Sequence, residues 1–65
     1  MINLTRINDI SFTLNSDLIE TIDEVPDTVI TLTTGKKIFV KESRQEVIDL
    51  VKDYKREIFN QIKIE

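Results

Sequence analysis

Apolar residues fall at alternate positions in the first half of this chain and at helical spacing in the second. In "INLTRI" Ile2 and Leu4 share a face, and in "ISFTLN" Phe12 and Leu14 do the same, with Asn, Thr and Ser between them. A period of two predicts half-buried strands. Asn8 and Asp9 tolerate the left-handed backbone of a tight turn, so the two strands are expected to form a hairpin. Ile7 lies on the opposite parity from Ile2 and Leu4, which leaves the register of that hairpin open. "SDLIETIDEV" fits a strand or a partly helical segment, and reads as a short turn at Asn15 to Asp17 followed by a strand near Ile19 to Glu24.

"PDTVITLTTGKKIFVKES", Pro26 to Ser43, carries the only proline and the only glycine. A three-residue loop of Thr33, Thr34 and Gly35, with Gly35 in the left-handed position, pairs Leu32 with Lys36, Ile30 with Ile38 and Thr28 with Val40. That register gathers Ile30, Leu32, Ile38 and Val40 on one face. A two-residue loop would mix apolar residues with lysines on both faces, so the patterning selects the longer loop. The opposite face presents Val29 beside Phe39, flanked by Thr31, Lys37 and Lys41. A neighbouring segment covers this pair, or it docks a partner. Gly35 reads as a turn device, because "TTGKK" lacks the spacing of a phosphate-binding loop.

Ser43 followed by Glu46 is a capping box, a specific sign of a helix start. Val47, Leu50, Val51, Tyr54, Ile58 and Ile62 then form one stripe, and no proline or glycine halts the helix before about Lys63. The fold expected is α+β: a small antiparallel sheet of about four or five strands built from hairpins, then one long amphipathic C-terminal helix. The whole chain, residues 1–65, reads as a single domain, with the sheet in 1–42 and the helix in 43–64. On a helical wheel Glu46, Asp49, Asp53 and Glu57 line one exposed side, and Lys52, Lys55, Arg56 and Lys63 line the other. Ile48 and Phe59 lie beside the basic strip, outside the stripe needed to cover a sheet. These flanking apolars widen the core contact, or they form a docking patch with an aromatic anchor and a basic rim. A helix of 20 residues is ~30 Å long, against ~20 Å for a six-residue strand. Ile58, Phe59, Ile62 and Ile64 therefore overhang a small sheet, and a second copy or another protein is the expected cover.

Composition narrows the chemistry. A domain of 65 residues buries only ~60% of the surface its unfolded chain exposes. With no cysteine and no histidine, disulfides and metal sites offer little help, and self-association is the expected stabiliser. The cysteine-free composition fits a reducing cytosol. The start lacks the apolar core of a secretory signal and no stretch approaches the ~20 apolar residues of a membrane span, so a cytoplasmic protein is expected. The net charge is −3, but residues 1–35 hold one basic and six acidic side chains while residues 36–65 hold eight basic and six acidic. Catalysis needs groups with tunable protonation or nucleophilicity. The serines lack a nearby base, Tyr54 sits on the core stripe, and Asp23, Glu24 and Asp27 read as a solvated turn around Pro26 without the ligand spacing of a calcium loop. No catalytic residue, cofactor, metal ligand or small-molecule substrate is expected, and the chain reads as a non-enzyme.

"INLTRIN", "F.LN.DLIE.I" and "PDTVITLTTGKK..VKES..EVI" resemble the FlbD/SwrD family of small flagellar and swarming-motility proteins, over Met1 to about Val51. The family usually has Asn-Gly where this chain has Asn8 and Asp9, and often Asn-Pro-Asp where it has Asn15, Ser16 and Asp17. The resemblance implies a cytoplasmic accessory protein that supports flagellar motor power by helping stator units act, near the inner membrane surface through a partner. It brings no catalytic motif. The expected partner-binding residues are Ile48, Lys52, Lys55, Phe59 and Ile62 on the helix and Val29 and Phe39 on the sheet, contacting a motor component or a second copy in a homo-oligomer. A rival reading is a small LytTR-like nucleic-acid-binding module, with Lys36, Lys37, Lys41 and Arg44 set to touch phosphates. The net acidity weighs against it, and nucleic acid is not the expected partner.

Overall fold

The computed structural model describes the backbone over residues 1–63 and the side chains over residues 1–58. Five strands precede one helix: β1 (Ile2–Thr5), β2 (Ser11–Leu14), β3 (Ile19–Glu24), β4 (Thr28–Leu32), β5 (Lys37–Val40) and α1 (Arg44–Lys63). The antiparallel strands divide into a two-stranded sheet, β1–β2, and a three-stranded sheet in the order β3–β4–β5. The expected α+β architecture is the one observed.

The first hairpin pairs Ile2 with Leu14 and Leu4 with Phe12. Asp9 turns it with a φ of +72°, and the Asp9 N–H donates to the Arg6 carbonyl at 2.8 Å. Ile7 is left exposed in this turn, which accounts for its parity. Asn15 accepts from the Asp17 N–H at 3.0 Å and starts a single 3-10 turn over Ser16–Leu18. Strand β3 follows directly, so the ambiguous stretch resolves as turn then strand. A bulge between Ile19 and Thr21 interrupts its pairing with β4. The peptide bond between Val25 and Pro26 is cis.

The β4–β5 hairpin has the register that patterning selected, with Thr28 opposite Val40, Val29 opposite Phe39 and Ile30 opposite Ile38. Leu32 and Lys36 close the loop, the Leu32 N–H donating to the Lys36 carbonyl at 2.8 Å. Gly35 sits at φ +92°, where a side chain would be strained. The capping box is complete: the Ser43 N–H donates to Glu46 Oε1 at 2.7 Å, and the Glu46 N–H donates to Ser43 Oγ at 3.1 Å.

The two sheets meet where β1 runs beside β5. Arg6 bridges Val40, and the Lys41 N–H donates to the Thr5 carbonyl at 2.8 Å. The strands therefore follow one another as 2-1-5-4-3, every neighbour antiparallel. One face of this curved layer carries Ile2, Leu4, Leu14, Ile30, Leu32, Ile38 and Val40, and Val47 of α1 seals it at 0% exposure. Leu50, Val51 and Tyr54 pack against that core as the helical stripe requires. Among the described residues no helix is long and apolar enough to cross a membrane.

Candidate interaction site

Polar side chains near the core hold the backbone together. Glu42 lies where β1 leaves β5, and its carboxylate accepts from the Thr5 N–H at 3.0 Å and from the Thr5 hydroxyl at 2.9 Å. It stands in for a missing ladder bond between the two sheets. Burial pushes the Glu42 carboxyl up, but the Thr5 and Glu42 amides and the Thr5 hydroxyl outweigh it and hold the group below its usual value. A depressed carboxyl adds stability above its unfolded-state value, near 4.5, and loses it as pH falls through the folded value. Glu42→Ala is therefore expected to cost about 1–2 kcal/mol at neutral pH, the worth of charged hydrogen bonds on a part-buried group. Urea titrations should show that gap closing at low pH; a gap that stays constant from neutrality to pH 3 would exclude this role.

Glu24 has a similar task. The sequence places it in a solvated acidic turn, and it is exposed, yet it accepts from the Arg44 N–H at 3.0 Å and so supplements the cap on α1. Asp23 and Asp27 are exposed as expected. Lys41, one of the hairpin lysines, forms an ion pair with Asp9. The Arg6 guanidinium stacks 4.4 Å from the Phe12 ring centroid.

Among the described residues, two apolar surfaces include residues named from sequence as partner-binding. On the face of the three-stranded sheet turned away from α1, Val29 is half-buried and Phe39 is 46% exposed. About half of the Phe39 surface is thus left open among the described residues. Asp23 pairs with Val29 across β3 and β4, so this row runs Asp23, Val29, Phe39, with Lys37 and Lys41 on either side of Phe39 along β5.

The second surface is a groove of about 360 Å³ between α1 and the start of β3, lined by Ser16, Asp17, Ile19, Ile22, Ile48, Val51, Lys52 and Lys55. The structure thus gathers three of the helix residues named from sequence, Ile48, Lys52 and Lys55, onto one wall. The fourth and fifth, Phe59 and Ile62, lie outside the residues whose side chains are described. Ile48 is half-buried and does not join the core; it faces Ile19 and Ile22 across the groove. Sequence reading missed the opposing wall, because no local pattern links β3 to a helix face 26 or more positions away. Lys55 reaches Asp17 at 3.9 Å, and both side chains are largely exposed, so the pair contributes little. Ser16 is 7% exposed, and its Oγ has no hydrogen-bond partner among the described residues. Ser16→Ala is expected to leave stability unchanged or raise it by about 1 kcal/mol, since an unpaired buried hydroxyl costs that much or more. A fall of 1 kcal/mol in a urea melt would reveal a partner for that hydroxyl.

This arrangement defines a small α+β module whose carboxylates cap and stitch backbone amides while two apolar surfaces face outward. The family model of flagellar and swarming motility proteins, FlbD, matches residues 1–59. The chain belongs to this family. Neither a curated protein nor a solved structure matches it.

Proposed function

We propose that this protein is a non-enzymatic, cytoplasmic accessory of flagellar motility that supports motor output, at the stator units, through protein–protein contacts. The observation that carries this reading is the membership of residues 1–59 in the flagellar and swarming family, taken with the exposed Phe39 and the apolar groove beside α1. In this reading the protein acts through its contact surfaces. The Val29 and Phe39 face and the α1 groove are the places where a motor component or a second copy docks. A large aromatic that is half exposed is of the residue class enriched at interface cores.

Deleting the gene in its host is expected to abolish swarming while flagella still assemble, and to lower the torque of tethered cells. Expression of the chain in trans should restore both. Unchanged torque in the deletion strain would overturn the motor-output reading, and loss of the filaments themselves would move the protein to assembly.

A further inference from the structure

We infer that Glu20 and Asp23 close the open edge of β3 to a second copy of this chain by charge. The strand order 2-1-5-4-3 ends at β2 and β3, and each of these leaves one row of backbone N–H and C=O groups with no strand beside it. Such a row is a template for pairing with another chain. The β2 edge is four residues long and the β3 edge is six, so β3 offers the longer template. Ile19 and Ile22 also leave an apolar surface beside it, the combination that promotes edge-to-edge association.

The carboxylates sit where that template is. β1, β2, β4 and β5 read INLT, SFTL, TVITL and KIFV and contain no Asp or Glu, whereas β3 reads IETIDE and contains three. All three are exposed. Glu24 has its own task in accepting from the Arg44 N–H, but Glu20 and Asp23 take part in no ion pair among the described residues. Of the lysines that line the groove near the start of β3, Lys55 meets Asp17 at 3.9 Å and Lys52 pairs with no carboxylate among the described residues. The charge on the edge is therefore not cancelled locally.

Two copies meeting edge to edge would bring these groups together. In each antiparallel register that pairs most of β3 with itself, acidic residues of the two strands fall opposite or diagonal to one another, and like charges there destabilise a ladder. The bulge between Ile19 and Thr21 adds a second obstacle by breaking the regular row at its start.

The test compares the full chain with E20Q/D23N, which removes two charges and keeps side-chain shape, and with D49N/D53N, which removes two charges from exposed positions on α1. Circular dichroism should give both variants the parent fold. Amide hydrogen exchange along β3, followed as protein concentration rises, reports edge pairing whatever assembly the other surfaces make. E20Q/D23N is expected to gain protection along Ile19–Glu24 at a concentration about tenfold or more below the parent's, with a matching rise in mass by light scattering. D49N/D53N should behave as the parent. In about 1 M salt, where exposed charges are screened beyond ~3 Å, the parent should approach E20Q/D23N. E20K/D23K supplies the reciprocal arm: alone it should stay unprotected along β3, and mixed with the parent it should gain protection. Exchange in E20Q/D23N equal to the parent's, the same gain in D49N/D53N, a rise in mass without β3 protection, a difference that persists in salt, or an unprotected mixture would each overturn the proposal. It does not rest on the motility reading, and a deletion strain that swarms normally would leave it standing.

Discussion

Ile30→Ala is expected to remove about 2–5 kcal/mol of folding stability, the range for truncating a large aliphatic in a packed core. Ile30 is 0% exposed and lies on the middle strand of the three-stranded sheet, opposite Ile22 on one side and Ile38 on the other. Neighbours on both strands hold the space open, so the cavity cannot collapse cheaply. At roughly 0.05–0.15 kcal/mol per residue, a chain of this length has about 3–10 kcal/mol in total. The variant should therefore be largely unfolded or melt far below the parent in a urea or thermal titration. Val29→Ala, one position away on the other face and only half-buried, is the control, with an expected loss under about 1 kcal/mol. Equal losses at the two sites would mean that the sheet is covered on both faces.

Phe39→Glu is expected to keep the fold and lose the function. Phe39 is 46% exposed, and its neighbours along β5 are Lys37 and Lys41, so a carboxylate there is hydrated and meets opposite charge. The expected change in stability is within about 1 kcal/mol. If the face is an anchor of the kind that dominates interfaces, placing a charge at its centre costs a partner at least 2 kcal/mol, about thirtyfold in affinity. Swarming in the complemented deletion strain should fall to the level of the empty vector, with protein abundance unchanged on an immunoblot. Full swarming would exclude the sheet face and leave the α1 groove as the working surface. Light scattering coupled to size-exclusion chromatography on the same variant separates the two kinds of partner: a parent dimer that becomes monomeric identifies the second copy as the occupant.

Residues close in sequence account for what was legible in advance. The alternation of Ile30 and Leu32 with Val29 and Thr31 assigned the strand face, and the apolar partners Ile38 and Val40 then admitted one loop length. Gly35 could take the left-handed position that loop demands, and it is there at φ +92°. Ser43 and Glu46 are three residues apart, so their reciprocal hydrogen bonds form within a single helical turn. The helix wheel also separated Val47 and Leu50, which join the core, from Lys52 and Lys55, which do not.

The rest depends on approaches across the fold. Glu42 meets Thr5 across 37 positions, and Glu24 meets the Arg44 amide across 20; neither carboxylate differs in sequence from one exposed to water. The blocks that carried the resemblance to the motility family include Thr5 and Glu42 but neither Glu24 nor Arg44, and they did not show what any of these residues does. Nor could the wheel show that Ile48 faces Ile19 and Ile22 rather than solvent or core. Periodicity, turn chemistry and capping are short-range interactions, and they alone determined the strands, the second hairpin's register and the helix start. The split of the strands into two sheets, the carboxylate that bridges them, the open edge of β3 and the groove beside it were decided only when distant segments packed, because each depends on which surfaces that packing leaves uncovered.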